Sequence, residues 1–333
     1  MRRPFRGLSA RAVTESAHRV AAVDCGTNST RLLILNGDGS TDTRLMRITR
    51  LGEGVDATGV LTPDATDRTL AVLAEYRRLV DRAGVAAVRL VATSATRDAT
   101  NGAAFLRAAS DVIGAPAELL DGQTEGQLAY AGATSSLVAT ELDDVVVDIG
   151  GGSTEIAVGH QGVVRATSLN VGCVRVSERF FRHDPPTGDE LLLAESEVRS
   201  MVRAGFNELV GAGWRSPGIR LIGLAGSVTT LAALELGLEE YDPVQIHHVC
   251  LSLSAVDHWY KVLASESTAE RSLRRAITPG REDVIAGGAL ILRIVIDTLH
   301  AERCLVSETD MLDGLAMSLL DTRGGSTTDA QAR

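Results

Sequence analysis

Two short segments of this chain repeat one pattern, and the repeat limits what the chain can fold into. The first reads Asp24-Cys-Gly-Thr-Asn-Ser-Thr30, and the second reads Asp148-Ile-Gly-Gly-Gly-Ser-Thr-Glu155. Each segment follows an apolar run and precedes another, which predicts a strand, a tight turn and a second strand. A single Asp-x-Gly turn is typical of an ordinary hairpin. Two turns that share the aspartate, the glycine and the hydroxyls indicate one structural motif that occurs twice.

The residue types in these turns suit phosphate. Closely spaced backbone N–H groups and hydroxyls hold phosphate oxygens, and a carboxylate holds Mg²⁺ or positions a water. Two such loops facing each other would form a phosphate-binding cleft. The candidate phosphate-binding residues are Asp24, Gly26, Thr27, Asn28 and Ser29 in the first turn and Gly150, Gly151, Gly152, Ser153 and Thr154 in the second.

Composition excludes several classes of partner. The chain has 333 residues, of which 44% are hydrophobic, enough for two domains with cores of their own. A net charge of −10 and only 3% aromatic residues argue against nucleic acid as a partner. No apolar stretch is long enough to span a membrane, and Met1 to His18 lacks the apolar segment of a secretory signal. We therefore expect a cytoplasmic protein.

The basic residues and the cysteines narrow the chemistry further. Lys261 is the single lysine, so any side chain that clamps phosphate is expected to be an arginine, whose planar fork suits oxyanions. The four cysteines are scattered without a Cys-x-x-Cys pair, which predicts neither a zinc site nor a disulfide framework.

The order of predicted elements is the same in both halves. Each half reads as three strands, helix, strand, helix, strand, helix, which predicts a duplicated α/β unit with the hairpin loops at its cleft. Among the predicted elements are a third strand at about 43–51 and a last helix from Met311 to Leu320. The expected divisions are a mobile N-terminal extension (1–18), two domains (19–138 and 139–321) and a disordered tail (322–333).

Taken together, these segments resemble a known family. The chain is similar to the actin-like ATPase, sugar kinase and acetate kinase superfamily, and within it to the exopolyphosphatase/guanosine pentaphosphate phosphohydrolase (Ppx/GppA) family. It most resembles the short, two-domain exopolyphosphatases of actinobacteria. The resemblance implies an α/β fold of two actin-like (ribonuclease H-like) domains with an interdomain cleft. The matching segments are, in order, 22–29, 92–98, 122–126, 147–155, 172–175, 223–227 and 307–314.

The resemblance also implies roles for individual residues. Glu125 matches the catalytic glutamate that activates water, and Asp148 and Glu155 match the acids that hold Mg²⁺. Arg97 joins the first loop in binding the terminal phosphate. The family often has two adjacent glutamates where this chain has Thr124-Glu125, so any helper role of the first acid is absent. A homodimer is implied by the family alone.

The residues themselves leave some of these roles open. From spacing alone, Glu125 is equally an acid favoured by the positive end of a helix. Arg97 follows a run of small residues at a strand end, where α/β folds bind ligands. Three further arginines either guide a chain of phosphates or lie on a solvated face: Arg31, Arg175 and Arg179.

We expect a Mg²⁺-dependent phosphohydrolase that removes terminal orthophosphate from inorganic polyphosphate by direct attack of water. Hydrolysis of guanosine pentaphosphate by the same residues is the nearest alternative. An ATP-dependent small-molecule kinase with a nucleotide pocket around Gly223–Thr230 is another, and an actin-like filament or polyphosphate sensor is a third. The hydrolase requires that both hairpin tips, Arg97 and Glu125 meet at one cleft.

Overall fold

The computed structural model describes residues 18–160, 162–211 and 218–324. The first half of the chain builds a five-stranded sheet in the order β3-β2-β1-β4-β5. Strand β1 is antiparallel to β2 and parallel to β4, so the first hairpin loop lies at the carboxyl end of the central strand. The strands are β1 (Val20–Cys25), β2 (Ser29–Leu35), β3 (Thr41–Ile48), β4 (Ala87–Ala92) and β5 (Ala117–Leu119).

Five helices accompany this sheet in the described residues. The longest is capped at its start by the Thr62 hydroxyl and stops at Gly84, which adopts a left-handed conformation, as the sequence predicts. The helices are α1 (Val55–Thr58), α2 (Pro63–Ala83), α3 (Ser94–Asp98), α4 (Gly102–Ile113) and α5 (Gly122–Thr134).

The second half builds a six-stranded sheet in the order β10-β11-β9-β6-β7-β8. Its hairpin β6–β7 is antiparallel and β6 is parallel to β9, which repeats the arrangement of the first sheet. The predicted α/β fold of two similar units is confirmed. The strands are β6 (Asp143–Ile149), β7 (Thr154–His160), β8 (Val163–Leu169), β9 (Ile219–Leu224), β10 (Cys250–Ser252) and β11 (Arg303–Val306).

Eight helices belong to the described part of the second half. Of these, α12 is buried along almost its whole length in the larger of the apolar cores. None of the helices in the described ranges combines the length and the apolar character that a membrane span requires. The helices are α6 (Cys173–Phe180), α7 (Gly188–Val210), α8 (Ala225–Glu235), α9 (Pro243–Ile246), α10 (Leu253–Ser265), α11 (Thr268–Ser272), α12 (Ile285–Thr298) and α13 (Met311–Gly324).

Two boundaries differ from the predicted ones. Strand β3 ends at Ile48 rather than near residue 51, because the Thr49 and Gly52 N–H groups donate to the Asn28 and Thr27 carbonyls. These bonds hold the first hairpin loop instead of extending the sheet. Helix α13 continues to Gly324 and so includes the start of the predicted tail. The rest of that tail, and the predicted extension up to residue 17, lie outside the described residues.

Helices α5 and α13 join the two halves because each packs on the sheet of the other half. Helix α5 packs against β7 and β8 of the second sheet, whereas α13 packs against β1 and β2 of the first. Each predicted domain interval, 19–138 and 139–321, therefore includes one helix that packs on the other half's sheet. The two sheets and these helices share one apolar core.

Glycine allows α5 and α13 to cross with backbone against backbone. A Cβ atom on Gly132 would lie 1.9 Å from the Asp310 carbonyl oxygen, and one on Gly314 would lie 2.1 Å from the Leu128 carbonyl oxygen. These distances are far below van der Waals contact, so neither position accepts a side chain unless the helices separate.

We predict that Gly132→Ala destabilises the protein. Alanine is favoured over glycine within a helix by about 1 kcal/mol, but the clash with a carbonyl oxygen outweighs this gain. The expected net loss is about 2 kcal/mol in the free energy of unfolding, measured by urea denaturation. Gly188→Ala is the control, because Gly188 is also helical and has nothing near its Cβ position. Equal stability of the two variants would contradict the close crossing.

Candidate active site

The two hairpin loops have the same local geometry. The Gly26 N–H donates to the Ser29 carbonyl at 3.0 Å, and the Gly150 N–H donates to the Ser153 carbonyl at 3.0 Å. The predicted repeat is therefore a structural repeat, and each loop is a tight turn closed by one glycine amide.

Each loop also presents a pair of charged side chains on one face. Asp24 lies directly opposite Arg31 across the first hairpin, and Asp148 lies directly opposite Glu155 across the second. Side chains directly opposite in an antiparallel pair extend from the same face of the sheet. Asp148 and Glu155 thus share a face although seven positions separate them, because the turn reverses the chain between them.

The tips of the two loops pack against each other. A Cβ atom on Gly151 would lie 3.0 Å from the Thr27 Cβ. One on Gly152 would lie 2.6 Å from the Ser94 Oγ and 2.8 Å from the Thr27 Oγ1. Gly151 and Gly152 are therefore needed for the two halves to approach this closely. The loops face a common space, as the sequence analysis required.

A cavity of about 310 Å³ lies at this junction. Its size falls in the range of small-ligand sites. All but two of the predicted site residues line it: Asp24, Gly26, Thr27, Asn28, Ser29, Glu125, Asp148, Gly150, Gly151, Gly152, Ser153 and Glu155.

The two predicted site residues outside the lining are Thr154 and Arg97. The buried Thr154 hydroxyl donates to the Val171 carbonyl at 2.5 Å, so this hydroxyl supports the loop from behind. Arg97 lies on α3 and donates to the Leu120 carbonyl at 2.8 Å. Its guanidinium lies 3.6 Å from Glu125 Oε2, and Glu125 in turn lines the cavity.

Glu125 is positioned by the start of α5. The Asp121 side chain caps this helix by accepting from the Thr124 N–H at 2.7 Å, which places Glu125 in the first turn. The residue is 7% exposed, and Oε2 has no hydrogen-bond partner within the described structure. Burial and the charges of Glu155, Asp24 and Asp148 hold the pKa of Glu125 well above its usual value, while Arg97 opposes the shift. A buried carboxylate in a cleft, with one oxygen free of hydrogen bonds, is a candidate proton acceptor.

The other acids of the cavity are buried as well. Burial raises the pKa of Asp148 to about 8, and the neighbouring Asp310 and Glu155 add to the rise. Glu155 accepts a hydrogen bond from the Ser168 hydroxyl at 2.6 Å, which fixes one of its oxygens. Asp24 leaves its Oδ1 without a partner in the described residues. The site therefore brings several acidic groups together in a buried space, and a bound cation would reduce the repulsion among them.

The acids fit a magnesium ion by their chemistry but do not form a complete cage. No group of three acidic, histidine or cysteine side chains in residues 18–160, 162–211 and 218–324 is arranged to hold a metal by itself. Mg²⁺ prefers oxygen ligands, keeps several waters, and is commonly bound by one or two carboxylates together with substrate phosphates. The pair Asp148 and Glu155 meets that requirement.

Three arginines supply positive charge to the same cavity. Arg31 is held between Asp24, at 2.7 Å, and Asp310. Arg44 forms an ion pair with Asp313. Arg281 donates to the Met46 Sδ at 3.2 Å and has no carboxylate ion pair among the described residues. Arg281 is therefore the guanidinium in the described lining that is most available to an anion.

The sequence analysis missed several of these residues. Asp310 lies in the segment 307–314 that carried part of the resemblance, and the start of α13 places it beside Arg31. Arg281 follows Pro279-Gly280, which predicts a turn. Nothing in the sequence indicates that this turn lies near the two hairpin loops. Arg31, Arg175 and Arg179 each form ion pairs with aspartates, and of the three only Arg31 is among the residues that line this cavity. Whether they guide a chain of phosphates stays a prediction.

Comparison with known proteins agrees with this geometry. The sequence model of the Ppx/GppA phosphatase family matches residues 13–323. The chain belongs to this family. It is 38% identical over 320 residues to exopolyphosphatase 2 of Mycobacterium tuberculosis, a match that covers 90% of this chain and 98% of that protein. The predicted resemblance is confirmed.

Solved structures of Ppx/GppA relatives share the fold. An exopolyphosphatase-like protein is 34% identical with a TM-score of 0.84, and the match covers 92% of this chain and 99% of that one. A Ppx/GppA member from Aquifex aeolicus is 33% identical with a TM-score of 0.75, covering 92% and 98%. The fold of two α/β halves is thus shared with these relatives.

We predict that Thr154→Val affects stability rather than turnover. Valine leaves the buried Val171 carbonyl without its hydrogen bond, which costs about 1–2 kcal/mol in the free energy of unfolding. The KM and kcat of phosphate release are expected to stay within twofold of the wild type. Ser153→Ala is the contrasting variant, because Ser153 lines the cavity, and it should raise KM. A rise in KM for Thr154→Val as large as for Ser153→Ala would restore Thr154 to the binding site.

Proposed function

We propose that this chain is an exopolyphosphatase, which releases terminal orthophosphate from inorganic polyphosphate by attack of water on the terminal phosphorus. One observation carries the proposal: both phosphate loops and the buried, unpartnered oxygen of Glu125 line the same cavity. The 38% identity to an exopolyphosphatase of similar length supports the choice of substrate.

Hydrolysis of a phosphoanhydride needs a positioned phosphoryl group, charge neutralisation and a proton acceptor. In this proposal the glycine amides and hydroxyls of the two loops bind the terminal phosphoryl group. Thr27, Ser29 and Ser153 supply the hydroxyls, and all three line the cavity. Because the loops are held by their own backbone bonds, their donors are oriented before substrate arrives.

Glu125 takes the proton from the attacking water. Its raised pKa makes the carboxylate a stronger base than an exposed glutamate, and the positive charge of Arg97 opposes part of that rise. The 3.6 Å contact and the bond to Leu120 give Arg97 a fixed position beside that base. Arg97 thus supports Glu125 in addition to any contact with phosphate.

Asp148 and Glu155 would hold Mg²⁺. When bound, the ion would neutralise phosphate oxygens and offset the repulsion between the buried acids. The hydrogen bond from Ser168 orients Glu155 for this task.

The rest of the cavity suits a ligand longer than one phosphate. Arg44, Arg281, Asp310 and Tyr241 also line it, and the guanidinium of Arg281 lies against Gly226 at the start of α8. A chain of phosphates that runs from the loops toward α8 would meet this guanidinium. Local arginines therefore attract a polyanion to a protein whose net charge is −10.

Guanosine pentaphosphate remains the second candidate substrate. Leu45, Met46, Tyr241 and Pro243 give the same cavity an apolar side on which a purine base could lie. Phosphate release from polyphosphates of several lengths and from guanosine pentaphosphate, assayed in parallel, separates the two. The homodimer and the cytoplasmic location stay predictions from the family and the composition.

We predict that Glu125→Gln lowers kcat for phosphate release at least about 100-fold, because the amide cannot accept the proton. KM should change much less, since the loops that bind phosphate are unchanged. Glu118→Gln is the matched control, because Glu118 is exposed on β5 and pairs with Arg89 outside the cavity. A kcat for folded Glu125→Gln within tenfold of the wild type would remove the base assignment.

We predict that Asp148→Asn raises the Mg²⁺ concentration for half-maximal activity at least about tenfold, because a neutral amide is a weaker ligand for a hard cation. Asp144→Asn on the same strand is the control, since Asp144 pairs with Arg220 away from the cavity. Magnesium titration of phosphate release at fixed substrate measures the effect. An identical magnesium dependence in wild type and Asp148→Asn would argue against the proposed metal site.

A further inference from the structure

Helix α6 begins on the triple-glycine loop. The Cys173 N–H donates to the Gly150 carbonyl at 2.9 Å, and the Val174 N–H donates to the Gly151 carbonyl at 2.9 Å. A Cβ atom on Gly172 would lie 2.3 Å from the Gly151 carbonyl oxygen, so the helix start approaches the loop as closely as backbone allows. The start of α6 is therefore joined to the second loop by backbone hydrogen bonds and close backbone packing.

Arg175 on this helix is bound at all three of its guanidinium nitrogens. Its Nε donates to the Gly152 carbonyl at 2.8 Å. Its two terminal nitrogens form ion pairs with Asp56 and with Asp98. These aspartates belong to α1 and α3 of the first half, whereas Gly152 belongs to the second. One side chain, 13% exposed, thus ties the second loop to the opposite half of the molecule.

The contact with Gly152 has a consequence for the cavity. The peptide unit between Gly152 and Ser153 is planar, so the Gly152 carbonyl and the Ser153 N–H point in opposite directions. By fixing the carbonyl, Arg175 also fixes the direction of an amide whose residue lines the cavity. Arg175 itself is not among the residues that line the cavity.

We propose that Arg175 is a positioning residue, which orients the triple-glycine loop and sets its register against the first half when the cleft is closed. The inference rests on the proposed function, because it concerns the site that binds the terminal phosphate. Arg175 acts through the loop and does not touch the substrate.

A neighbouring arginine provides a matched comparison. Arg179, one turn further along α6, pairs with Asp56 at 2.7 Å across the same cleft but does not contact the loop. Glu178 accepts from the Gly54 N–H at 3.1 Å and adds a third link between α6 and the first half. If Arg175 merely helped to staple the halves together, loss of Arg179 would have similar effects.

The test compares Arg175→Met, Arg175→Lys and Arg179→Met in two measurements. The first is amide hydrogen exchange in peptides that cover residues 146–156. The second is kcat and KM for phosphate release from polyphosphate. We expect Arg175→Met to speed exchange in that segment at least about fivefold and to lower kcat at least about tenfold. Arg179→Met should stay within threefold of the wild type in both. Lysine should not rescue, because one ammonium cannot reproduce the fork that joins three acceptors.

Each outcome decides the proposal. Equal effects of Arg175→Met and Arg179→Met in both measurements would overturn it, as would full rescue by lysine or faster exchange with unchanged kcat. If the wild type releases phosphate from no substrate, the proposed function fails. Hydrogen exchange then still tests whether Arg175 holds the second loop in place. If Arg175→Met does not fold, Asp98→Asn replaces it, since Asp98 belongs to the first half and pairs with Arg175. This variant should shift exchange and kcat in the same direction, and no shift would overturn the proposal.

Discussion

The architecture depends on backbone packing directly against backbone or small side chains at the junction of the two halves. At the tips of the hairpins, Gly151 and Gly152 lie against Thr27 and Ser94. Between the sheets, Gly132 lies against the start of α13. Both contacts shorten the distance between the halves by the size of a side chain. The cavity is small enough for phosphate loops from different sheets to act on one group because these contacts are made.

The electrostatics of the site follow from the same closeness. Bringing the loops together also brings together the acids of Asp24, Glu125, Asp148 and Glu155 in a buried space, where like charges repel strongly. Arg31 and Arg97 offset part of this repulsion within the protein. Burial is the main reason why the pKa values of Glu125 and Asp148 are raised, and the remaining repulsion adds to the rise. A bound cation would reduce that repulsion.

Much of this site could be predicted from the sequence because the loops are local structures. A strand, an aspartate, a glycine and hydroxyls determine a turn whatever surrounds it, so the loop residues could be named in advance. Glu125 could be named only through the family resemblance, since its environment is built by other segments. The role of Thr154 could not be predicted, because its hydroxyl is turned to Val171 by the register of β7. The packing of α13 on the first sheet, which places Asp310 beside Arg31, depends on tertiary structure alone.

The two loops share a backbone but differ in charge at equivalent positions. In the first loop the residue opposite the aspartate is Arg31, so the pair is neutral overall. In the second loop the residue opposite the aspartate is Glu155, so the pair consists of two carboxyl groups with no basic partner across the hairpin. A neutral loop can bind phosphate through amides and hydroxyls without a metal, whereas a doubly acidic loop repels phosphate unless a cation lies between them. In the proposed mechanism both loops therefore bind the phosphoryl group through amides and hydroxyls, and the second loop would also hold the ion that neutralises it. Arg175 acts on the second loop, where a shift of the backbone would disturb both the ion and the phosphate.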